Sequence, residues 1–545
     1  MFGLHLGDAI VVIVYLLGIT VFGAWMGRRI KATKDFFMPR RFGKGMMMMH
    51  AFGTGTASDQ AAIVASATAQ KGLSGIWFQW LWLFNTPFYW LIAPIFRRLR
   101  ATTTADVYQL RFGSSVAILF AAVGILGLSV KIGLLLKGAG ALIDAGTGGS
   151  VPTEIAIPVV AALFLIYGIA GGLSAAIVTD YIQGILTIVF SFILLPSVLG
   201  AVGGLQGVRE TIADPQMLSL VAPDKIDAFF VVTFATLSLV GIVAQPFIMG
   251  VCAAGRTEMD GRFGFVAGNL IKRLCSAAWA VTGIAALAYV IQQGGVVDKE
   301  AADQIYGSMA HTFLVPGLLG LFIASLLAGV MSSCDSFMIS ASGLFTENLY
   351  KPLAQGRSER HYMLVGRIIS VFIVLSGIGF AFLMPSLIDG LKAWLKIPAL
   401  LGVAFWIGLF WRRFNSAGAW ASFLGGGMVT VWFMVVETEL SDPWQIVLSL
   451  SVALVAGVVA SLVTRAPEPE SIGRFHSLIR TPIAEGEVIA EPCHLPEGTD
   501  AAERATWFTG TDFEFPRPST VSWIGFLAAW GAVAIIIVGF VSLFA

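Results

Sequence analysis

Charge is what this chain has least of. Only 12% of its residues are Asp, Glu, Lys or Arg, whereas 57% are hydrophobic, more apolar surface than a soluble domain can bury. The chain therefore reads as an all-α polytopic membrane protein. It holds only four cysteines and no CxxC pair. Cys252, Cys275 and Cys334 fall in or near apolar runs and Cys493 in a hydrophilic one, so neither a disulfide framework nor a zinc site follows. No Walker sequence, GxSxG or HExxH occurs, which leaves ATP coupling and the common hydrolase chemistries without support and argues against an enzyme. The net charge of +1 comes without a basic patch interleaved with aromatics, so nucleic acid is not an expected partner. The first apolar run lacks a basic leader and a convincing cleavage site, and reads as a retained helix.

What is present in quantity is apolar sequence. About fourteen runs are long enough to cross a bilayer: one within 1–30, five within 45–201, five within 226–411, two within 415–464 and one within 523–545, with a single long hydrophilic stretch at 465–522. Most of the 34 basic residues fall in alternate loops, among them Arg28, Arg29, Lys31, Lys34, Arg97, Arg98 and Arg100, with further clusters at 256–273, 351–367, 412–413 and 465–517. Basic loops are held on the cytoplasmic side. The expected protein sits in the cell membrane with both termini outside and 465–522 inside. Within that stretch RFHSLIRTPIAEGEVI is expected to pack on the membrane surface and the acidic remainder to be mobile.

Two spans carry interruptions. AFGTGTASDQAA, from Ala51 to Ala62, concentrates Gly, Thr, Ser and Asp at mid-depth, and Gln245-Pro246 breaks an otherwise apolar helix. Irregular backbone at that depth is tolerated where it lines a cavity. With 45–201 and 226–411 taken as five-helix units, each break falls in the first helix of its unit, and the odd number of spans inverts one unit relative to the other. This is the architecture of a secondary transporter with a midplane site. A coincidental kink is the competing reading for Pro246. The pair Gly171-Gly172 is a weak signal, glycine being frequent in membrane helices.

The run from Leu314 to Tyr350 is a further polar intrusion, with Ser332, Ser333, Asp335 and Ser336 near its middle. At helical spacing Ser325, Gly329, Ser332, Ser336 and Ser340 share one stripe, with Asp335 beside it. Such oxygens suit a small hard cation. Close helix packing is the alternative for the serines, but a carboxylate inside a membrane helix points to an ion site or a buried ion pair.

Several segments together resemble the solute:sodium symporter family: KDFFMPRR after the first span, TTTADVYQLRFG after the third, YGIAGGLSAAIVTDYIQG into the sixth, AGVMSSCDS with ENLYKPL in the ninth, and GLFWRRFNSAGA after the eleventh. The resemblance covers nearly the whole chain. It implies a LeuT-type 5+5 inverted repeat with one preceding and three following helices, and Na+-coupled symport of a small polar solute into the cell by a monomer in lipid. It also implies a sodium cage: the backbone oxygens of Ala57, Gln60 and Gly329 and the hydroxyls of Ser332 and Ser333. Unwound carbonyls suit that role. Gly329 stands where relatives often have Ala, a small change for a main-chain ligand.

Some members hold a second sodium at an Asp matching Asp180 and at serines one turn along. Here Asp180, Ser332 and Ser336 are present and Asp335 replaces an expected hydroxyl, so this second site is expected to take sodium or a retained proton. The alternative for Asp180 is a hydrogen bond or salt bridge at the inner gate. Lys131 resembles, in position, the arginine with which a sialic acid carrier meets its substrate carboxylate, which implies an anionic or zwitterionic solute; a buried pair with Asp59 or another acid is the alternative. His50 reads as structural.

The substrate cavity is expected among the second, third, fourth, seventh and eleventh spans, lined by Thr56, Gln60, Gln79, Asn85, Lys131, Gln245, Phe247 and Trp406. Ala244 and Pro246 stand where sugar carriers have Asn and Tyr, which speaks against sugar recognition of that style. Sugar, amino acid and organic acid stay open as solutes, as do one or two ions and sodium or proton coupling. A transporter-like sensor that signals through 465–522 without net flux is the alternative function.

Overall fold

The structure, a computed structural model, describes residues 4–27, 36–436, 438–484, 487, 489, 491–503, 505–508 and 510–544. Arg28, Arg29, Lys31 and Lys34 of the first basic loop lie outside the described residues. Among the described residues the chain is helical, with isolated bridges and no strand. Nine of these helices are long and apolar enough to cross a membrane, and Leu6–Phe22, Thr153–Ile166 and Ala228–Ile242 are shorter apolar helices. Two further apolar passages are assembled from short pieces, Lys44–Gly53 with Ser58–Lys71 and Trp77–Trp80 with Thr86–Arg98.

Burial separates a centre from a periphery. The apolar window of the serine-bearing helix, Leu318–Gly343 continuing to Tyr350, is 89% buried, whereas that of Thr520–Phe544 is 17% buried. The peripheral helices turn Leu, Val, Ile and Trp outwards, including Val431, Trp432, Val455, Ile524 and Leu527. Large apolar side chains on an outer surface identify lipid as its solvent. The central helix is also anchored at its start. Asp8 of the first helix, Leu6–Gly27, accepts from the backbone N–H groups of Gly317 and Gly320, both at 2.7 Å, placing a carboxylate on the positive end of the helix.

Both expected interruptions are present. The first helix of the first unit ends at Gly53 and restarts at Ser58, and Gly55 holds a φ of +82° that a residue with a Cβ rarely adopts. The first helix of the second unit ends at Ile242 and restarts at Ile248 around Pro246. A third bend falls between the fifth and sixth apolar runs. Gly172 takes a φ of +52° where Thr153–Ile193 bends into two helices, and an added Cβ there would lie 2.6 Å from the Phe36 ring.

Two expectations are corrected. Lys272 and Arg273 do not belong to a basic loop. They are buried within the 35-residue helix Glu258–Gln292, which carries them from the membrane surface into the bundle. The stretch 465–522 docks on protein, its acidic part included, instead of leaving that part mobile. Its helix Pro469–Arg480 buries Ile472, Phe475, His476, Leu478 and Ile479, with the Arg111 guanidinium 5.8 Å from the Phe475 ring. Its acidic part is pinned by Glu487, 2.6 Å from Arg100, and Glu514, 2.6 Å from Arg412; residues 485, 486, 488, 490, 504 and 509 lie outside the described residues.

Candidate functional site

The first break meets the middle of the serine-bearing helix. Ser333 Oγ donates to the Gly53 carbonyl at 3.0 Å and accepts from the Gly55 N–H at 3.1 Å, so it bridges the ends of the unwound segment. Approach is close because the break is built on glycine: a Cβ on Gly53 would lie 2.6 Å from Ser332 Oγ. Gly329 faces the same segment, and a Cβ there would lie 3.5 Å from the Thr56 carbonyl oxygen and 3.2 Å from Thr187 Oγ1. Ala57, Gln60, Gly329, Ser332 and Ser333 are thus brought to one interface. The Ala57 carbonyl accepts from the Gln60 N–H at 3.0 Å. Thr56 Oγ1, within the break, is buried without a partner, leaving an acceptor oxygen with capacity to spare.

One turn further along, five polar side chains form a chain of contacts across three helices. Ser332 donates to Asp180 Oδ1, and Asp180 Oδ2 lies 2.6 Å from His50 Nδ1. Thr54 Oγ1 lies 3.2 Å from the same nitrogen and 3.1 Å from Ser336 Oγ. Asp180 is thus hydrogen-bonded to Ser332 and His50, the kind of contact the alternative reading of this residue calls for. His50 is its partner, which sequence reasoning missed because nothing in Met46–Met49 signals a carboxylate 130 residues away. Asp335 does not join Asp180. It is 1% exposed, neither carboxylate oxygen has a partner, and it faces Gly168, where a Cβ would lie 2.5 Å from Oδ1.

On the other side of the first break a cavity of about 50 Å³ is lined by Gln60, Gln79, Lys131, Gln245 and Phe247 of the expected set. Thr56, Asn85 and Trp406 are not on its wall. Asn85 donates to Ser238 Oγ, and Trp406 Nε1 donates to the Leu239 carbonyl at 3.2 Å; both side chains point at the seventh span and tie it to its neighbours. Lys131 pairs with Asp59 at 2.8 Å and lies 4.7 Å from the centre of the Trp394 ring, the alternative raised for it, while still bordering the cavity.

The principal additions are Lys272 and Arg273. Lys272 Nζ donates to the Gly55 carbonyl at 2.9 Å, using an oxygen the break has freed, which also accepts from Gln60 Nε2. Arg273 donates to the Gln79 carbonyl at 2.6 Å, to Gln79 Oε1 at 3.0 Å and to Asn269 Oδ1 at 3.2 Å. Trp82, Tyr89, Phe337 and Trp394 supply aromatic wall.

Interrupted helices around a buried polar cavity, inside an all-helical membrane bundle, define a secondary transporter rather than an enzyme. Residues 36–426 match the Sodium:solute symporter family, and the chain belongs to that family. Among its curated relatives, the sodium/pantothenate symporter of Haemophilus influenzae is 26% identical over 84% of this chain and 96% of its own. The human sodium/myo-inositol cotransporter 2 is 23% identical over 95% of this chain and 86% of its own. The osmoregulated proline transporter of Bacillus subtilis is 24% identical over 76% and 85%, respectively. A solved Na+-coupled sialic acid symporter, substrate-bound and outward-open, shares the fold with a TM-score of 0.73 over 85% of this chain and 99% of its own, at 17% identity. The protein is a multi-pass membrane transporter of LeuT-type fold.

Proposed function

We propose that the protein couples the inward movement of Na+ to uptake of a small organic anion, by alternating access, with both termini facing outwards. The observation that carries the solute class is the charge around the cavity. Lys131, Lys272 and Arg273 border it and only Lys131 has a carboxylate partner, Asp59. The partners of Lys272 and Arg273 are neutral oxygens. A buried cation without a counter-charge is costly, and a carboxylate on the solute offsets that cost when it binds. The two glutamines and aromatic walls then orient the remainder. Among the relatives the pantothenate and sialic acid carriers are named for acids, whereas the inositol carriers are named for a neutral polyol.

The cargo cation fits the opposite face of the break. Ala57, Gln60, Gly329, Ser332 and Ser333 form the proposed sodium cage, supported by the free hydroxyl oxygen of Thr56 in the break. Ion and solute both act on the Gly53 to Ala57 segment, so each raises the other's affinity by the same factor. Asp335, buried and unpartnered, is a second ion position, holding a proton or a further cation; Asp180 serves the gate through His50.

The test is thermal unfolding of purified protein in Na+ or choline, against carboxylates and polyols of similar size. Stabilisation is expected from a carboxylate and to be larger in Na+, and Ser333→Ala is expected to remove the Na+ dependence. Equal stabilisation in choline sinks the sodium cage, and stabilisation by polyols alone sinks the anion reading.

A further inference from the structure

A second cavity, of about 320 Å³, lies away from the transport site where Thr86–Arg98, Glu258–Gln292, Thr520–Phe544 and Pro469–Arg480 meet. One part of its wall is apolar: Leu91, Ile95, Phe410, Phe515 and Phe526. The other part carries Arg98, Arg262 and Arg480 with one carboxylate among them, Glu514. Their carboxylate partners are too few. Arg98 and Arg262 share Glu258, at 2.7 and 2.9 Å, and Arg412 and Arg480 share Glu514. Four guanidinium groups thus face two carboxylates.

Two buried nitrogens on this wall also lack acceptors or donors. Arg262 is 6% exposed with Nε unpartnered, and His476 is 3% exposed with Nε2 unpartnered. Buried polar atoms of this kind are rare in a finished site. An anionic group with several acceptor oxygens satisfies both, and guanidinium is suited to phosphate. The apolar half excludes a simple inorganic anion as a sufficient occupant. Its source is indicated by Thr520–Phe544, the least buried of the long helices, which supplies Trp523 and Phe526 to the wall. The cavity therefore adjoins lipid.

We propose that this cavity binds one anionic phospholipid from the adjoining leaflet, its phosphate beside Arg262 and His476 and an acyl chain against Leu91, Ile95 and Phe526. Bound there, the lipid fastens the helix Pro469–Arg480 to both five-helix units.

Full-length protein, stripped of lipid in detergent, is titrated with dioleoyl phosphatidylglycerol, with dioleoyl phosphatidylcholine and with inorganic phosphate, and adducts are counted by native mass spectrometry. One saturable phosphatidylglycerol adduct is expected, at least tenfold tighter than phosphatidylcholine, with no phosphate adduct at the same concentration. Arg480→Gln is expected to weaken it about fivefold, the effect of one charge near a lipid headgroup. Ile95→Trp, which fills the apolar half and leaves every charge, is expected to weaken it as well, so the test survives if one variant does not fold. Equal affinity for the two lipids, several equivalent adducts, saturation by phosphate, or unchanged binding in both variants overturns the proposal.

Discussion

Lys131 and Asp59 sit 2.8 Å apart with side chains 3% and 0% exposed, so neither charge has water to fall back on. Removing one partner of a buried pair costs ~3–5 kcal/mol, whereas removing both is often neutral. Lys131→Met is therefore expected to lower thermal stability strongly, and Lys131→Met with Asp59→Asn to restore most of it. A double variant no better than the single would break the argument. Both members of this pair were legible in sequence, because a charge inside an apolar run is conspicuous wherever it occurs. Lys272 and Arg273 were not, because spacing alone assigns a cation near the end of an apolar run to the adjacent loop. His50 was seen and its role was not; its partner Asp180 lies in another span, and only packing joins them.

Helices show a similar division. The break at Gly53 to Ser58 was readable because Gly, Thr and Ser replace apolar residues at mid-depth, and Pro246 marked the second break by removing a backbone donor. At Gly172 the boundary between two apolar runs was readable but the role of this one among 61 glycines was not, since it lies in a backbone angle and in the nearness of Phe36. Gly172→Ala is expected to cost ~1–3 kcal/mol in backbone strain with a steric clash added, because its Cβ would lie 2.6 Å from Phe36. Gly113, at φ +87° with nothing within 4 Å, is the control: Gly113→Ala carries the strain without the clash. Thermal unfolding that ranks Gly172→Ala as the milder change contradicts this account. Asn85 and Trp406 were placed on the cavity by sequence because each is a polar or aromatic residue in a span that borders it. Which side of a span a residue faces is decided by neighbouring helices, and both turn to the seventh.

For the molecule as a whole, composition was enough to read a helical membrane bundle, since no other solvent accommodates that much apolar surface. The docking of 465–522 was not readable: its charges look like a solvated loop until Arg100, Arg111 and Arg412, far away in sequence, are brought beside them. Burial, reinforced by Arg111, Arg412 and Arg480, lowers the His476 imidazole from 6.5 to about 3. Between those values the undocked loop binds a proton that the docked loop does not, so docking weakens as pH falls from about 6.5 towards 3 and is unaffected above that window. In protein stripped of lipid, amide hydrogen exchange across 469–480 is expected to quicken over that range, after correction for intrinsic rates; constant protection contradicts the assignment.

The central claim, that Na+ drives an organic anion through the Lys272 and Arg273 cavity, is tested most directly by flux. Purified protein in liposomes is given an inward Na+ gradient with labelled pantothenate, proline and myo-inositol as an acid, a zwitterion and a neutral polyol. With further small carboxylates added to that panel, the account predicts accumulation of an acid above equilibrium, abolished by collapsing the Na+ gradient and by Lys272→Met. Uptake indifferent to Na+, or accumulation of the polyol in preference to every acid, would contradict it.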